Sequence, residues 1–219
     1  MKRYLSCLLL PLIFVGYARA ESIDLLGNRF TFAVPSGYCS TSGDPLFAEW
    51  ESRTRNAIGK DNRLLLMFAN CKHLQEFRKG KRRVISDYGA FSVQTPKGIL
   101  HTVTGATRPY VISSLIAKSD TSGALKRAET RAQQYIPGYS NESLGWLDSD
   151  SNGAYMGMLM TMDDTPAKPI KITGVGGITM VKQLIFGINL YSPSGGANAV
   201  PLLLERQKHA MNDFVRTND

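Results

Sequence analysis

Apolar and other residues alternate with period two from Arg29 to Val34, placing Phe30, Phe32 and Val34 on one face of a predicted strand. Pro35-Ser36-Gly37 ends it. Asp44-Pro45 has the form of an N-cap followed by proline at the first helical position. Leu46, Phe47, Trp50, Ala57 and Ile58 then fall on one helical stripe, and Gly59 stops it. The unbroken apolar run from Leu64 to Ala69 predicts a strand buried on both faces. A short helix over residues 73–79 follows, then one strand over 82–95 bent at Gly89, and a further short strand over 98–104. Tyr110, Val111, Ser114 and Leu115 predict a helix starting near Pro109. Leu125, Ala128, Ala132, Tyr135 and Ile136 predict a second, ending before Pro137-Gly138.

The rest of the chain is rich in strand patterns. Residues 144–148 and 154–162 flank Asn152-Gly153, a hairpin signal in which Asn-Gly supplies positive φ. A strand over 170–180 is predicted to break or bulge at Gly174-Val175-Gly176-Gly177. Leu184, Phe186, Ile188 and Leu190 alternate cleanly in the next strand. A loop over 192–198 leads to a last helix, with Pro201 near its start and a stripe of Val200, Leu203, Leu204, Met211, Phe214 and Val215. The pattern predicts an α+β fold: a largely antiparallel sheet with helices packed on it, including an amphipathic C-terminal helix. Repeats, low-complexity tracts and linkers are not evident, so residues 21–219 are read as one domain.

Residues 1–20 are set apart from this pattern. Lys2 and Arg3 precede an apolar stretch from Leu5 to Val15, and Ala18-Arg19-Ala20 predicts signal-peptide cleavage before Glu21. The stretch is shorter than the ~20 residues of a membrane-spanning helix. Cys7 lies inside the apolar run, too early for a lipidation site. No later segment predicts a transmembrane helix, so the mature chain is expected to be soluble, and the leader predicts that it is secreted or periplasmic.

Composition adds limits. Of 219 residues, 43% are hydrophobic and 20% charged, which excludes collagen, a coiled coil, a disordered tail and a polytopic membrane protein. The net charge of +8 comes from 26 basic and 18 acidic residues, but Lys2, Arg3 and Arg19 leave with the leader. The remaining 23 basic and 18 acidic residues give +5, a weak pull on anionic partners. Export leaves Cys39 and Cys71, 32 positions apart, and an oxidising compartment favours their pairing over two buried thiols. The C-x-x-C spacing of a redox site is absent.

The segment Phe30-Thr31-Phe32-Ala33-Val34-Pro35-Ser36-Gly37-Tyr38 resembles the strand, proline and aromatic opening of PsbP-like α/β sandwich proteins. The long paired strands before an amphipathic C-terminal helix are similar too. The resemblance implies the sandwich fold and the company of non-enzymatic binding or assembly factors and uncharacterised exported bacterial proteins. It carries over no functional residues.

Several patterns could bear chemistry. Asp148-Ser149-Asp150-Ser151-Asn152-Gly153 matches the first half of a calcium loop, with Asp148, Asp150 and Asn152 as ligands. The twelfth position is Leu159 where a bidentate Glu is required, and the other reading is a polar hairpin turn. Met156, Met158, Met160 and Met162 alternate on one strand face; thioethers hold Cu(I), but methionines ~7 Å apart on one strand cannot close a site, and such a stripe also fills a core. Glu205 with His209, and His73 with Glu76, share helix faces, either as partial metal sites or as solvated pairs. Arg78, Lys79, Lys81, Arg82 and Arg83 form the densest charge run, read as an anionic-partner patch or a solvated loop. Export and the lack of interleaved aromatics argue against nucleic acid.

Catalytic signatures are sparse. There is no G-x-S-x-G elbow, the histidines are scattered, and Gly174-Val175-Gly176-Gly177 lacks the Lys-Ser/Thr that completes a phosphate loop. Asp163-Asp164 sits in a turn before Pro166, and Asn141-Glu142-Ser143 is a glycosylation sequon only in a host that glycosylates. The expectation is a non-catalytic exported binding or accessory factor of the cell envelope, without a cofactor, meeting an envelope protein or an anionic envelope component. The alternatives are an envelope-polymer hydrolase and a calcium- or copper-binding protein. A pocket that gathers polar groups from separate strands would mark a site.

Overall fold

The computed structural model describes residues 20–118, 120–136, 138–165, 168–193 and 197–219. The predicted leader, residues 1–19, lies outside the described residues, as does Pro166. The chain opens with strands β1 (Ala20–Leu25) and β2 (Asn28–Ala33), an antiparallel hairpin separate from the main sheet. Leu26 and Gly27 turn the hairpin with φ of 48° and 76°, the positive angles a two-residue connection requires. Sequence reading missed β1 because Leu-Gly carries no turn signal.

Seven antiparallel strands form the sheet. In chain order they are β3 (Tyr38–Ser40), β4 (Asn62–Asn70), β5 (Tyr88–Gln94), β6 (Ser140–Ser149), β7 (Ala154–Thr165), β8 (Lys168–Val181) and β9 (Leu184–Ser192). Their order across the sheet is β3-β4-β5-β9-β8-β7-β6. The α+β architecture predicted from the pattern is the one observed.

The sheet is covered on both faces. On one side the β1–β2 hairpin and helix α5 (Val200–Asn218) pack on Phe68, Phe91, Phe186, Ile188 and Leu190. Phe32 binds the layers, its ring 5.3 Å from that of Phe91 and 5.4 Å from that of Phe214. The alternation that puts Phe30, Phe32 and Val34 inside is the one the sequence shows. On the other side lie α1 (Ala48–Ile58), α2 (Cys71–Arg78), α3 (Arg108–Lys118) and α4 (Thr121–Ala132). Here Phe47, Leu74 and Leu125 close a second core with Leu64, Met67, Ala69, Met158 and Met160.

Local chemistry sets the element ends. Asp44 Oδ1 accepts the Leu46 N–H at 3.0 Å and starts a 3-10 turn, Pro45–Phe47, that runs into α1. Asn70 caps α2, its Oδ1 accepting from the Lys72 and His73 N–H groups. Cys39 and Cys71 form a disulfide. Cys39 stands on its own edge strand, opposite Ala69, and Cys71 opens α2, so the bridge ties the sheet edge to that helix.

The structure departs from the sequence pattern at several places, among them Asp163 and Asp164, which lie in β7 and not in a turn. The strand over 82–95 begins only at Tyr88; residues 82–87 run as a loop in which Arg82 pairs with Glu76 and Asp87 lies 3.7 Å from Arg206. Residues 98–104 form no strand: a 3-10 turn, Pro96–Gly98, holds Lys97 at φ 56°, and Val103 N–H meets only the Gln183 carbonyl. Strand β8 runs through its glycines in regular register, Gly174 opposite Tyr191 and Gly176 opposite Asn189. Those glycines make room for neighbours: a Cβ at Gly174 would lie 3.0 Å from the Tyr191 ring. Finally, neither Asn152 nor Gly153 has positive φ. The connection is an Asx turn, Asp150 Oδ1 accepting the N–H groups of Asn152 and Gly153 at 2.8 and 2.9 Å.

Candidate functional site: an aromatic cleft and a polar crevice

One concavity is a cleft of about 290 Å³ between α1, α2 and the loop before β5. Phe47 and Trp50 enter from the start of α1, Phe77 from α2 and Tyr88 from β5. The rings meet edge on or tilted: Phe47 to Phe77 at 5.5 Å, Trp50 to Tyr88 at 5.1 Å. Tyr88 stacks on Tyr191 at 4.5 Å beneath, and burial pushes both phenols well above their usual pKa, so the floor is neutral. The rim is charged, with Arg53, Arg83, Glu49 and Asp163. Glu49 is ion-paired to Arg53 at 2.5 Å, one helical turn on. Leu46 sits on the rim with half its surface exposed.

Beside the cleft, a polar node holds the sheet edge. Asp87 accepts from Tyr38 Oη at 2.5 Å and Asn70 Nδ2 at 3.0 Å, with Arg206 at 3.7 Å. Burial raises its carboxyl above the usual range, against the Asn70 hydrogen bond, which lowers it. The Arg206 guanidinium lies over the Tyr38 ring at 5.2 Å. His73, also here, is lowered by burial and then by Arg82. Its Nδ1 is buried without a partner among the described residues.

The second concavity, about 210 Å³, lies over the middle of the sheet beneath α1 and α4. It gathers polar side chains from three strands and a helix: Asn62 of β4, Ser92 and Gln94 of β5, Asn189 of β9 and Arg131 of α4. The floor is thinned by Gly176 and Gly187.

The residues singled out from sequence are distributed as follows. Asp148 is ion-paired to Lys208 at 2.5 Å, which holds its carboxyl below the usual range. Asp150 is engaged by its own turn and by Tyr155 Oη at 3.0 Å; Asn152 donates to Asn212. Met158 and Met160 are buried in the second core, Tyr139 Oη donates to Met160 Sδ at 3.4 Å, and Met156 and Met162 line the crevice and the cleft. Glu205 lies 3.9 Å from Lys208, and His101 and His209 are exposed. Among the described residues, no group of three or more His, Cys, Asp or Glu side chains could hold a metal.

The basic run is divided. Arg78 pairs with Asp44 at 2.7 Å and lies over the Phe47 ring; its hydrogen bond, then that of the Leu46 N–H, lowers the Asp44 carboxyl. Arg82 pairs with Glu76 at 2.9 Å. Lys79 and Lys81 are exposed, and Arg83 reaches the cleft. Asp163 joins it there from the end of β7. Among the described residues, no helix is long and apolar enough to cross a membrane.

Sequence reading identified neither concavity. The cleft's aromatic residues look like ordinary core positions. The crevice's polar residues sit singly between apolar ones, as Ser92 does between Phe91 and Val93, and so read as solvent-facing.

No protein-family model matches the chain, and no curated protein matches it. Among solved structures, it is similar to a cyanobacterial PsbP (CyanoP) from Synechocystis sp. PCC 6803, at a TM-score of 0.39 and 9% identity over 93% of this chain and 94% of that one. It is also similar to the Ran-binding protein Mog1p of Saccharomyces cerevisiae, at a TM-score of 0.40 and 13% identity over 91% of this chain and 94% of that one. The first is a PsbP protein, the family that the Phe30–Tyr38 segment resembles. Neither likeness carries an argument about function.

Proposed function

We propose that this chain is an exported accessory factor of the cell envelope that acts by binding, and that its partner is a protein segment seated in the aromatic cleft. The observation that carries the reading is the cleft itself: Phe47, Trp50, Phe77 and Tyr88 converge on a space large enough for one or two side chains. Aromatic pockets with a polar rim are where binding energy concentrates in protein interfaces. The disulfide and the leader-like first twenty residues support the oxidising compartment.

The rim selects the partner's charge. Glu49 is paired to Arg53 and Asp163 opposes Arg83 at the rim, so the exposed Lys79 and Lys81, close to Arg83 in the chain, tip the balance toward an aromatic or aliphatic anchor flanked by acidic residues. Trp50 reports occupancy directly once Trp146, on β6, is replaced in a Trp146→Phe background. Titration with short synthetic peptides carrying one central Trp-free aromatic anchor is expected to shift Trp50 emission saturably when the flanks are acidic. Absence of a saturable shift with any flank, or shifts indifferent to flank charge, would overturn the reading.

A further inference from the structure

We infer that the crevice over the centre of the sheet binds a small organic carboxylate, with Arg131 as its counter-charge. Buried polar groups in folded chains are nearly always paired. Here Arg131 Nε is buried without a partner among the described residues, the guanidinium makes no ion pair with a described residue, and the partly exposed side-chain amides of Asn62, Gln94 and Asn189 make no hydrogen bond to one. The Arg131 side chain crosses the backbone of Gly59, where a Cβ would come within 3.0 Å of Nε. No acidic side chain lines the crevice among the described residues. A partly buried guanidinium with no internal anion is free to pair with an arriving one through charge-assisted hydrogen bonds.

Two glycines shape the floor. A Cβ at Gly176 would lie 2.7 Å from Asn189 Oδ1, and one at Gly187 would lie 2.8 Å from Ser92 Oγ. The bare backbone at both positions therefore keeps space for the polar side chains that cross it. Water can satisfy amides, but it does not neutralise a guanidinium.

The chemistry of the walls defines the ligand class. A guanidinium matches a planar carboxylate with two parallel hydrogen bonds. Amides that both donate and accept suit a hydroxyl or amino substituent. Ile58 and Met156 offer apolar contact to a short carbon chain. The volume of about 210 Å³ is below the ~300–1,000 Å³ of sites for drug-sized molecules, which limits the ligand to a few carbons.

Isothermal titration of the disulfide-bonded protein tests this with acetate, lactate, succinate and glutamate, against succinamide as the neutral isostere and sodium sulfate as a generic anion. At least one carboxylate is expected to bind one to one, about tenfold or more tighter than succinamide or sulfate. Arg131→Gln is expected to abolish that heat. Asn189→Ala, which deletes a polar tip without touching the charge, is expected to weaken it about tenfold, with circular dichroism confirming that both variants fold. Silence from all four carboxylates, equal binding of sulfate, or undiminished binding to Arg131→Gln would each overturn the inference.

Discussion

The side-chain amide of Asn218 closes on the backbone of Thr31 from both directions: Oδ1 accepts the Thr31 N–H at 2.7 Å, and Nδ2 donates to the Thr31 carbonyl at 2.8 Å. Thr31 lies on β2, the strand that follows the turn of the hairpin, and Asn218 is the last residue of α5. One amide thus satisfies backbone groups that a further strand would otherwise pair. It also anchors the hairpin and the C-terminal helix to each other above the Phe32 cluster.

Asn218→Ala leaves the Thr31 amide and carbonyl unpaired in a part-buried position. The expected loss is about 1–3 kcal/mol in urea-induced unfolding. Asn218→Asp keeps the acceptor but turns a carboxylate oxygen against the Thr31 and Phe214 carbonyls at the helix C-terminus, so it should lose at least as much at neutral pH. A loss below about 0.5 kcal/mol for the alanine variant would show that the hairpin is held by its apolar contacts alone.

Where the pattern in the sequence repeats along one element, the structure follows it. The stripe Leu203, Met211, Phe214 and Val215 packs on the sheet as the period of 3.6 requires, and the Leu64 to Ala69 run is largely buried between two layers. The site was hidden for a physical reason. Asn189 alternates with Ile188 and Leu190, which marks it as outward only if one face of the sheet meets solvent. Both faces are covered here, so its side chain enters the interior. Asn62, Ser92 and Asn189 become neighbours only through strand pairing, which no local period records. Strand β3 is three residues long, too short for any period to show, and the sequence pattern ends the preceding strand before it.

The Cys39–Cys71 bridge closes a loop of 32 positions, and in the chain-entropy account it contributes ~3–4 kcal/mol. Thermal unfolding should shift down on reduction, and a Cys39→Ala, Cys71→Ala double variant should match the reduced protein and no longer respond to reductant. Protein taken from its native host should begin at Glu21 and resist alkylation until reduced. A full-length mass, or two freely alkylated sulfurs, would contradict export to an oxidising compartment.

Asp87 should give stability an unusual acid-range slope. Burial raises its folded pKa above the unfolded value, so the folded chain holds this proton more tightly. The ionised group therefore costs stability as pH rises between the two values, and no cost remains below both. Asp87→Asn keeps an acceptor for Tyr38 Oη and removes the titration. The stability difference, variant minus wild type, should grow as pH rises through the interval above 3.8 and then level off. A difference independent of pH would mean that the carboxyl titrates alike in both states.

The proposed role stands most directly on charge selection at the cleft rim. The decisive measurement is the ratio of Kd values for acid-flanked and base-flanked peptides with the same aromatic anchor, read from Trp50 emission for wild type and for Arg83→Glu. Wild type is expected to favour acidic flanks by about tenfold, and the charge-reversed protein to lose or invert that preference with its fold intact. Equal ratios in the two proteins would contradict a partner chosen at this rim.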